Sequence, residues 1–397
     1  MAGRRAHGDG GLYKRRDGRW EGSVDLGRDT ATGKRRRLSI YGGTHREASQ
    51  RLKAAQAERN GGLRVDGRRE TLEHYIRTWL KHRDPRQAQA GARKLRMTTW
   101  AAYESRLRVH VYPSIGRLAI GDVTPEHVRA MLAKVAAVGV SQTTVAMVRD
   151  TLATILQRAV KDRVLPFNPC SAVDSVTRSK AKTYVLTPDE ARALMRAAVG
   201  DPYEAAVVLA LHTGLREGEL FGVQWRDIDL ESATVTVRQT LIHVTGGGLQ
   251  ASQPKTLASA ATIPLTTGAV AALRAHRTRQ IEQRLRAGSA WQDTAYVFTT
   301  EIGTPVRASN FMRRHFYPIA ERAGIPTRRQ PDGTQGLRFH DLRHGCGTLL
   351  ISLGMKPKLV QAILRHSKLA TTMDLYVHAF DDDLRGAVAS LDRALGS

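Results

Sequence analysis

Five polar clusters in the C-terminal half of the chain carry residue types that are out of place in a hydrophobic core. They are Thr213-Gly214-Leu215-Arg216-Glu217-Gly218-Glu219-Leu220, Pro254-Lys255-Thr256, His340-Asp341-Leu342-Arg343-His344, Leu364-Arg365-His366-Ser367 and Thr371-Thr372-Met373-Asp374-Leu375-Tyr376-Val377-His378. A guanidinium gives two parallel N–H donors to the nonbridging oxygens of a phosphodiester and keeps its charge at any working pH. A phenol becomes a nucleophile once its proton, with an ordinary pKa of ~10, is removed. Arginines, a lysine, histidines and a tyrosine in this order therefore suit phosphoryl transfer. Taken singly, each cluster has a plainer reading. Arg216 and Glu219 form an i,i+3 helix pair, Lys255 is a solvated hairpin lysine, and Tyr376 is a half-buried tyrosine. His340 and His344 share a helical face, a spacing that allows two metal ligands. The HExxH pattern is absent, however, because Asp341 stands in place of its Glu, and no Cys or carboxylate is evidently placed to finish a zinc shell. Cys346 reads as a small buried residue.

The composition narrows the partner. The chain has 397 residues and a formal net charge of +25, a field that attracts polyanions, with nucleic acid the leading candidate. An anionic membrane surface would require a basic amphipathic anchor or an apolar span, and there is no run of ~18 apolar residues. The segment Met1 to Gly11 is basic and glycine-rich without an apolar core, so it does not read as a signal peptide. The two cysteines, Cys170 and Cys346, cannot form a zinc cluster by themselves and fit a reducing compartment. At 41% hydrophobic residues the chain can bury real cores, and its length suggests two or three domains.

The elements that must position the clusters fall into three blocks, read as domains 1–65, 66–176 and 177–397. In the first, Leu12–Arg16, Trp20–Leu26 and Arg35–Tyr41 read as strands, with turns at Asp17-Gly18 and Thr32-Gly33. A helix follows, with Thr44 and Glu47 as a capping box and Gly61-Gly62 as its stop. Residues 1–70 hold twice as many Lys/Arg as Asp/Glu. Lys14, Arg15, Arg16, Arg35, Arg36 and Arg37 lie on the strands, with Trp20 among them. Such runs are often a solvated face, but a basic three-stranded sheet also suits insertion into a DNA groove. The second block reads as all helical. Thr98 caps Thr99–Val111, Thr124-Pro125 opens another helix, and Ser141 caps a long one through Arg163 with an apolar stripe. Asp84 to Lys94 reads as a mobile loop. In the third block, Thr187-Pro188-Asp189-Glu190 is a complete helix start, and Thr234–Val244 and Thr262–Leu265 read as strands about a glycine turn. Leu384, Val388, Leu391 and Leu395 form a closing apolar stripe after Asp381-Asp382-Asp383.

On these motifs the chain resembles the tyrosine recombinase family of phage-type integrases. The resemblance covers almost the whole sequence: an Arg in a TGLRxxEL box, a hairpin Lys in PKT, HxLRH, a His box, and Tyr in a TxxxYxH setting. It implies a multidomain fold with a small β-sheet-plus-helix arm-type DNA-binding domain, an all-α core-binding domain, and a mainly α catalytic domain with a small antiparallel sheet. The family's six active-site positions map onto Arg216, Lys255, His340, Arg343, His366 and Tyr376. The resemblance casts Tyr376 as nucleophile and Arg216, Arg343 and His366 as donors to the phosphate. His340 becomes a base or proton relay, Lys255 the general acid, and Glu219 an orienting group for Arg216 or a histidine. Arg365 departs from the family, which often has Gly before the His. An arginine there is strained if the position needs positive φ, and otherwise can reach a phosphate. The segment Leu257-Ala258-Ser259-Ala260-Ala261 is less basic than is common.

The activity implied is site-specific recombination: integration, and with it excision, of a mobile element through a 3′-phosphotyrosine, without metal, ATP or another cofactor. The implied partners are double-stranded DNA at core and arm sites and three further copies of the chain in a tetramer. A host DNA-bending protein and an excisionase are further candidates, with the bacterial cytoplasm and its nucleoid as location. A catalytically dead DNA-binding regulator is disfavoured by the intact set of six. A type IB topoisomerase is disfavoured by the separate basic N-terminal block; a metal-dependent transposase or nuclease would need an acidic ligand cluster, and Asp381–Asp383 reads better as the acidic start of a helix.

Overall fold

The structure is a computed structural model that describes residues 11–28, 32–64, 66–87, 94–177, 184–244, 248–252, 261–331 and 333–373. Lys255, Tyr376, the segment 257–260 and the apolar stripe from Leu384 to Leu395 lie outside the described residues. The chain divides into two compact units, Met1–Ser179 and Lys180–Ser397.

The first unit opens with a three-stranded antiparallel sheet, β1 (Tyr13–Lys14), β2 (Trp20–Arg28) and β3 (Arg35–Gly42), followed by α1 (His45–Asn60). Alternation along the strands puts Val24 and Ile40 under α1, where they pack with Leu52 and Ala55. Thr44 caps α1 through the Glu47 N–H. The Glu47 carboxylate takes the Gly43 N–H at 2.8 Å rather than that of Thr44, so the expected capping box closes one residue early.

Five α-helices build a second core in this unit: α2 (Leu72–Arg83), α3 (Met97–Arg106), the short α4 (Tyr112–Ile115), α5 (Pro125–Ala137) and α6 (Gln142–Lys161). The apolar stripe of α6 (Val145, Val148, Leu152, Ile155, Leu156, Ala159) lies fully inside it. Thr98 is not a cap: α3 starts at Met97 from Arg96 without a side-chain cap. Nor does an α-helix run to Val111. Leu107–Val111 widens to a π turn ahead of Tyr112-Pro113, because proline lacks the N–H and its ring crowds the carbonyl four residues back. The loop after α2 is tied down at its start. Asp84 is buried, pairs with Arg86 at 2.8 Å, and Arg86 lies 4.5 Å over the ring of Trp100.

The second unit is built around α8 (Glu204–Thr213), which is apolar on nearly every side and so sits in the middle of the core. Around it lie α7 (Pro188–Ala198), with the full Thr187/Glu190 capping box, α10 (Thr267–Ala287) and α13 (Phe339–Ser352). The expected strand 234–244 is broken in two. After α9 (Glu217–Leu220), strands β4 (Ile228–Asp229), β5 (Thr234–Thr236) and β8 (Thr262–Pro264) form one sheet. The other is a hairpin of β6 (Thr240–Val244) and β7 (Gly248–Ser252). Side chains at the break pull the chain aside: Arg238 pairs with Asp227 at 3.0 Å and Gln239 donates to the Gly222 carbonyl at 3.0 Å. α11 (Ala308–Phe311), a second π turn at Met312–Phe316 before Tyr317-Pro318, α12 (Tyr317–Arg322) and α14 (Pro357–Leu364) complete the described unit. No helix of the described residues is long and apolar enough to cross a membrane.

Candidate active site

Arg216 and His340 sit at the starts of two helices built to one pattern, Arg-x-x-acid. In α9 the Glu219 carboxylate accepts the Arg216 N–H at 3.0 Å and the Arg216 guanidinium at 2.7 Å. In α13 the Asp341 carboxylate accepts the Arg338 N–H at 2.8 Å and its guanidinium at 2.7 and 3.0 Å. Each acid satisfies an orphan N–H at the positive end of its helix. Asp341 is fully buried in that task, which explains the aspartate between the two histidines without a metal. Among the described residues no group of three or more His, Cys, Asp or Glu is placed to hold a metal ion. An aromatic cluster locks the two helices together: Phe311 lies 5.1 Å from Phe221 after α9 and 5.3 Å from Phe339 in α13.

Arg343 ties three helices together. It is only 3% exposed, and its two terminal nitrogens donate to the carbonyls of Gly214 and Leu364. Both carbonyls lie at helix C-termini, where the last C=O groups lack partners and the dipole favours a cation. Both helices end on a left-handed residue, Gly214 (φ 58°) and Arg365 (φ 55°). A Cβ on Gly214 would come within 2.6 Å of the Leu364 side chain. Among the described residues, two of the five N–H donors of Arg343 are used in this way and three have no partner. Burial, and then the charges of Arg216 and Arg365, lower it to about 9, so it stays protonated at neutral pH.

His366 follows Arg365 and is half-buried. Its Nδ1 lies 2.9 Å from the Thr372 hydroxyl. With Thr372 donating, Nε2 carries the hydrogen and can donate to a phosphate oxygen. Thr372 is fully buried, and nothing in the sequence singled it out from the Thr371-Thr372 pair. His340 is exposed and its ring makes an edge contact with His344, centroids 5.2 Å apart. Although the residue as a whole is exposed, desolvation of the ring and the charges of His344 and Arg343 push His340 down to about 4, so the imidazole is neutral at working pH.

Desolvation, then Arg343, Arg216, His344 and Arg365, also push His366 down to about 4. Its ordinary value is ~6.5, so the unfolded chain takes up the proton first as pH falls. The contribution to stability is complete above pH ~6.5 and is lost progressively toward pH ~4. The melting temperature is expected to fall across that window, and His366→Gln to flatten the fall. A pH-independent melting temperature in the native chain would contradict a neutral His366.

Arg216, Glu219, Arg343 and His366 are thus brought together, with His340 beside them. Glu219 contacts Arg216 and Arg365 rather than a histidine, and it is buried. Burial alone would raise its carboxyl, but Arg365, the Arg216 N–H and the Arg216 guanidinium outweigh burial and hold it below its ordinary value. Arg365 neither avoids the strained backbone nor reaches outward. It is left-handed, and its side chain is 0% exposed, paired with Glu219 at 2.8 Å.

The N-terminal basic residues divide. Arg35 and Arg37 share a face of β3 with Tyr41, away from α1. Arg15 lies 5.5 Å over the Tyr41 ring and pairs with Glu21 at 2.8 Å. Arg35 pairs with Asp25 and Arg36 with Asp66. Lys14, Arg16 and Arg37 are exposed. Trp20 stands apart from them, its ring edge-on to His45 at 4.7 Å.

Residues 184–383 match the phage integrase family and residues 72–175 the phage integrase central domain. The chain is 29% identical over 388 residues to a protein described as tyrosine recombinase XerC-like from Caldanaerobacter subterraneus subsp. tengcongensis, covering 93% of this chain and 95% of the relative. It is 28% identical over 386 residues to an integrase of Streptomyces ambofaciens, covering 95% and 94%. Among solved structures, the Tn1549 transposon integrase in complex with a circular intermediate DNA aligns with a TM-score of 0.64 at 23% identity, over 81% of this chain and 99% of that one. A lambda integrase tetramer bound to a Holliday junction aligns with a TM-score of 0.53 at 19% identity, over 94% and 96%. At these identities the structural likeness is one of fold.

Proposed function

The chain belongs to the phage integrase family, and from that premise we propose that it recombines DNA at specific sites with Tyr376 as nucleophile, integrating and excising a mobile element. It is a DNA strand-exchange enzyme of the tyrosine recombinase type, a metal-independent family that acts through a phosphotyrosine intermediate. In the proposed step the Tyr376 Oη–P bond forms and the P–O5′ bond breaks. The 3′ end stays on the tyrosine and the 5′ oxygen leaves with a proton from Lys255. His340, neutral at working pH, takes the phenolic proton. Arg216, Arg343 and Nε2 of His366 donate to the nonbridging oxygens as charge gathers on them, each worth roughly 2.7–4 kcal/mol by analogy with an oxyanion hole. The phosphodiester is exchanged for a phosphotyrosine ester and then for a new phosphodiester, so the bond type is conserved and no ATP is consumed.

The observation that carries the reading is Arg343, fixed by two helix-end carbonyls with three donors unpaired among the described residues, next to Arg216 and His366. A nicked suicide substrate bearing the core site loses its short 5′-hydroxyl fragment on cleavage. It is expected to trap a covalent complex in the presence of EDTA. Dependence on Mg²⁺ would sink the proposal.

We assign residues 1–65 to arm-site binding, 66–176 to core-site binding, and 177–397 to catalysis. The separate hydrophobic cores of the N-terminal sheet and the following helices support the first division. Within the first domain, exposed Lys14, Arg16 and Arg37 are the cations best placed for phosphate, with Arg15, Arg35, Arg36 and Trp20 shaping the surface. Deleting residues 1–65 is expected to spare core-site cleavage while arm-site binding is lost; equal footprints on both sites after deletion would refute the division. By analogy with the lambda integrase tetramer on a Holliday junction, the working unit is a tetramer on DNA in the bacterial nucleoid, with a host DNA-bending protein and an excisionase as accessory partners.

A further inference from the structure

We infer that Arg365 is a positioning residue for strand cleavage, its buried guanidinium holding Glu219 so that Arg216 is presented to the phosphate with its charge intact. The inference rests on the reading of Arg216 as a phosphate ligand.

Two features of Arg365 are individually unfavourable. Its backbone is left-handed, at φ 55° and ψ 44°, a region that suits glycine and strains any residue with a Cβ. Its side chain is 0% exposed, and a buried cation is disfavoured unless paired. Its contacts show what the site gains from it. Nη2 pairs with Glu219 Oε2 at 2.8 Å and Nη1 donates to the Ile363 carbonyl at 3.0 Å, while Nε is buried with no partner among the described residues. Such a side chain cannot touch DNA without leaving its place.

Glu219 stands between two guanidiniums. Oε1 binds the Arg216 side chain at 2.7 Å, and Oε2 binds both the Arg216 N–H at 3.0 Å and Arg365. The Arg216 side chain is 38% exposed and so has an open end. Without Arg365 the buried carboxylate would face Arg216 alone. It would cancel the charge that Arg216 offers to a phosphate and draw the guanidinium back along α9. With Arg365 in place, Glu219 is already neutralised and acts as a rigid rest for Arg216. The same left-handed turn follows directly on Leu364, whose carbonyl holds Arg343. One residue thereby governs the placement of both proposed phosphate-binding arginines.

The test uses the full chain and single-turnover covalent trapping on the nicked core-site DNA at saturating concentration. Arg365→Gly removes the strain and the guanidinium together, and is expected to slow trapping about 100-fold, the usual scale for a misplaced catalytic group. The apparent Kd for DNA should change by less than about threefold, because the buried Arg365 makes no DNA contact and the exposed cations that dominate affinity are untouched. In Arg365→Gly/Glu219→Gln the uncompensated carboxylate is gone, and trapping is expected to recover at least about tenfold of the loss, as coupled neighbours do in a double-mutant cycle. A merely structural staple between α14 and α9 predicts no recovery. Arg365→Gln serves in the same scheme if the glycine variant fails to fold. Trapping at the native rate by Arg365→Gly, or a loss that Glu219→Gln leaves untouched, overturns the positioning role alone. No Tyr376-dependent trapping by the native chain would overturn the site reading itself, and this inference with it.

Discussion

Tyr376→Phe is expected to abolish covalent trapping on a nicked core-site duplex while DNA affinity changes by no more than about tenfold, since one neutral hydrogen bond nets roughly 0.5–1.5 kcal/mol. The asymmetry follows from the chemistry. The phenolic oxygen is the atom that becomes bonded to phosphorus, so its removal leaves no route to the intermediate. The cations that attract DNA are untouched; with +25 on the chain, they dominate affinity and make it strongly salt-dependent. A phenol with an ordinary pKa of ~10 needs a base at neutral pH, and His340, pushed down to about 4, is neutral and able to accept there. Trapping and a filter-binding or gel-shift isotherm, measured on the same preparation, separate the two effects. A covalent band from the Phe variant would assign the chemistry to another residue and defeat the proposal.

The site was legible in the sequence where chemistry is written into residue types and local spacing. Arg216 with Glu219, and His340 with Arg343, sit within one helical turn of each other, and the structure places each pair on one helix start. What the sequence could not reveal is long-range. That the guanidinium of Arg343 spans the carbonyls of Gly214 and Leu364 depends on three helix ends converging, and a backbone carbonyl has no residue signature. Arg365 could be flagged as odd, but whether it turned outward to a phosphate or inward to Glu219 was a tertiary matter. Glu219 lies 146 residues away in the chain. The fold shows the same limit. Helix starts governed by local caps, such as Thr187-Pro188 and Thr124-Pro125, were readable because cap and helix are neighbours. Thr98 misled because α3 begins one residue before it, at Met97, from an extended Arg96 with no side-chain cap. The strand at 234–244 broke at Arg238 and Gln239 because Asp227 and the Gly222 carbonyl, distant partners, compete with the ladder.

Arg343→Ala is expected to damage both chemistry and stability, and by separable amounts. Loss of one preorganised donor to a developing oxyanion slows reaction about 10²–10³-fold, so trapping should fall by at least that factor at saturating DNA. The same substitution strips two buried carbonyls of their partner, each left unpaired at roughly 1–3 kcal/mol. For a unit of about 200 residues that corresponds to a melting temperature lower by roughly 4–24 °C. Arg216→Ala provides the contrast. Its side chain is 38% exposed and its carboxylate partner keeps Arg365, so trapping should fall comparably while melting shifts little. Arg343→Lys keeps a charge, but a single ammonium on a flexible stem cannot span two carbonyls and still offer paired donors. It should regain part of the stability and little of the rate. The decisive measurement is the pair of readouts on all three variants. Native melting in Arg343→Ala would show that the two helix ends do not depend on the guanidinium. Trapping above about a tenth of the native rate would remove Arg343 from the phosphate, being far less than a lost donor costs.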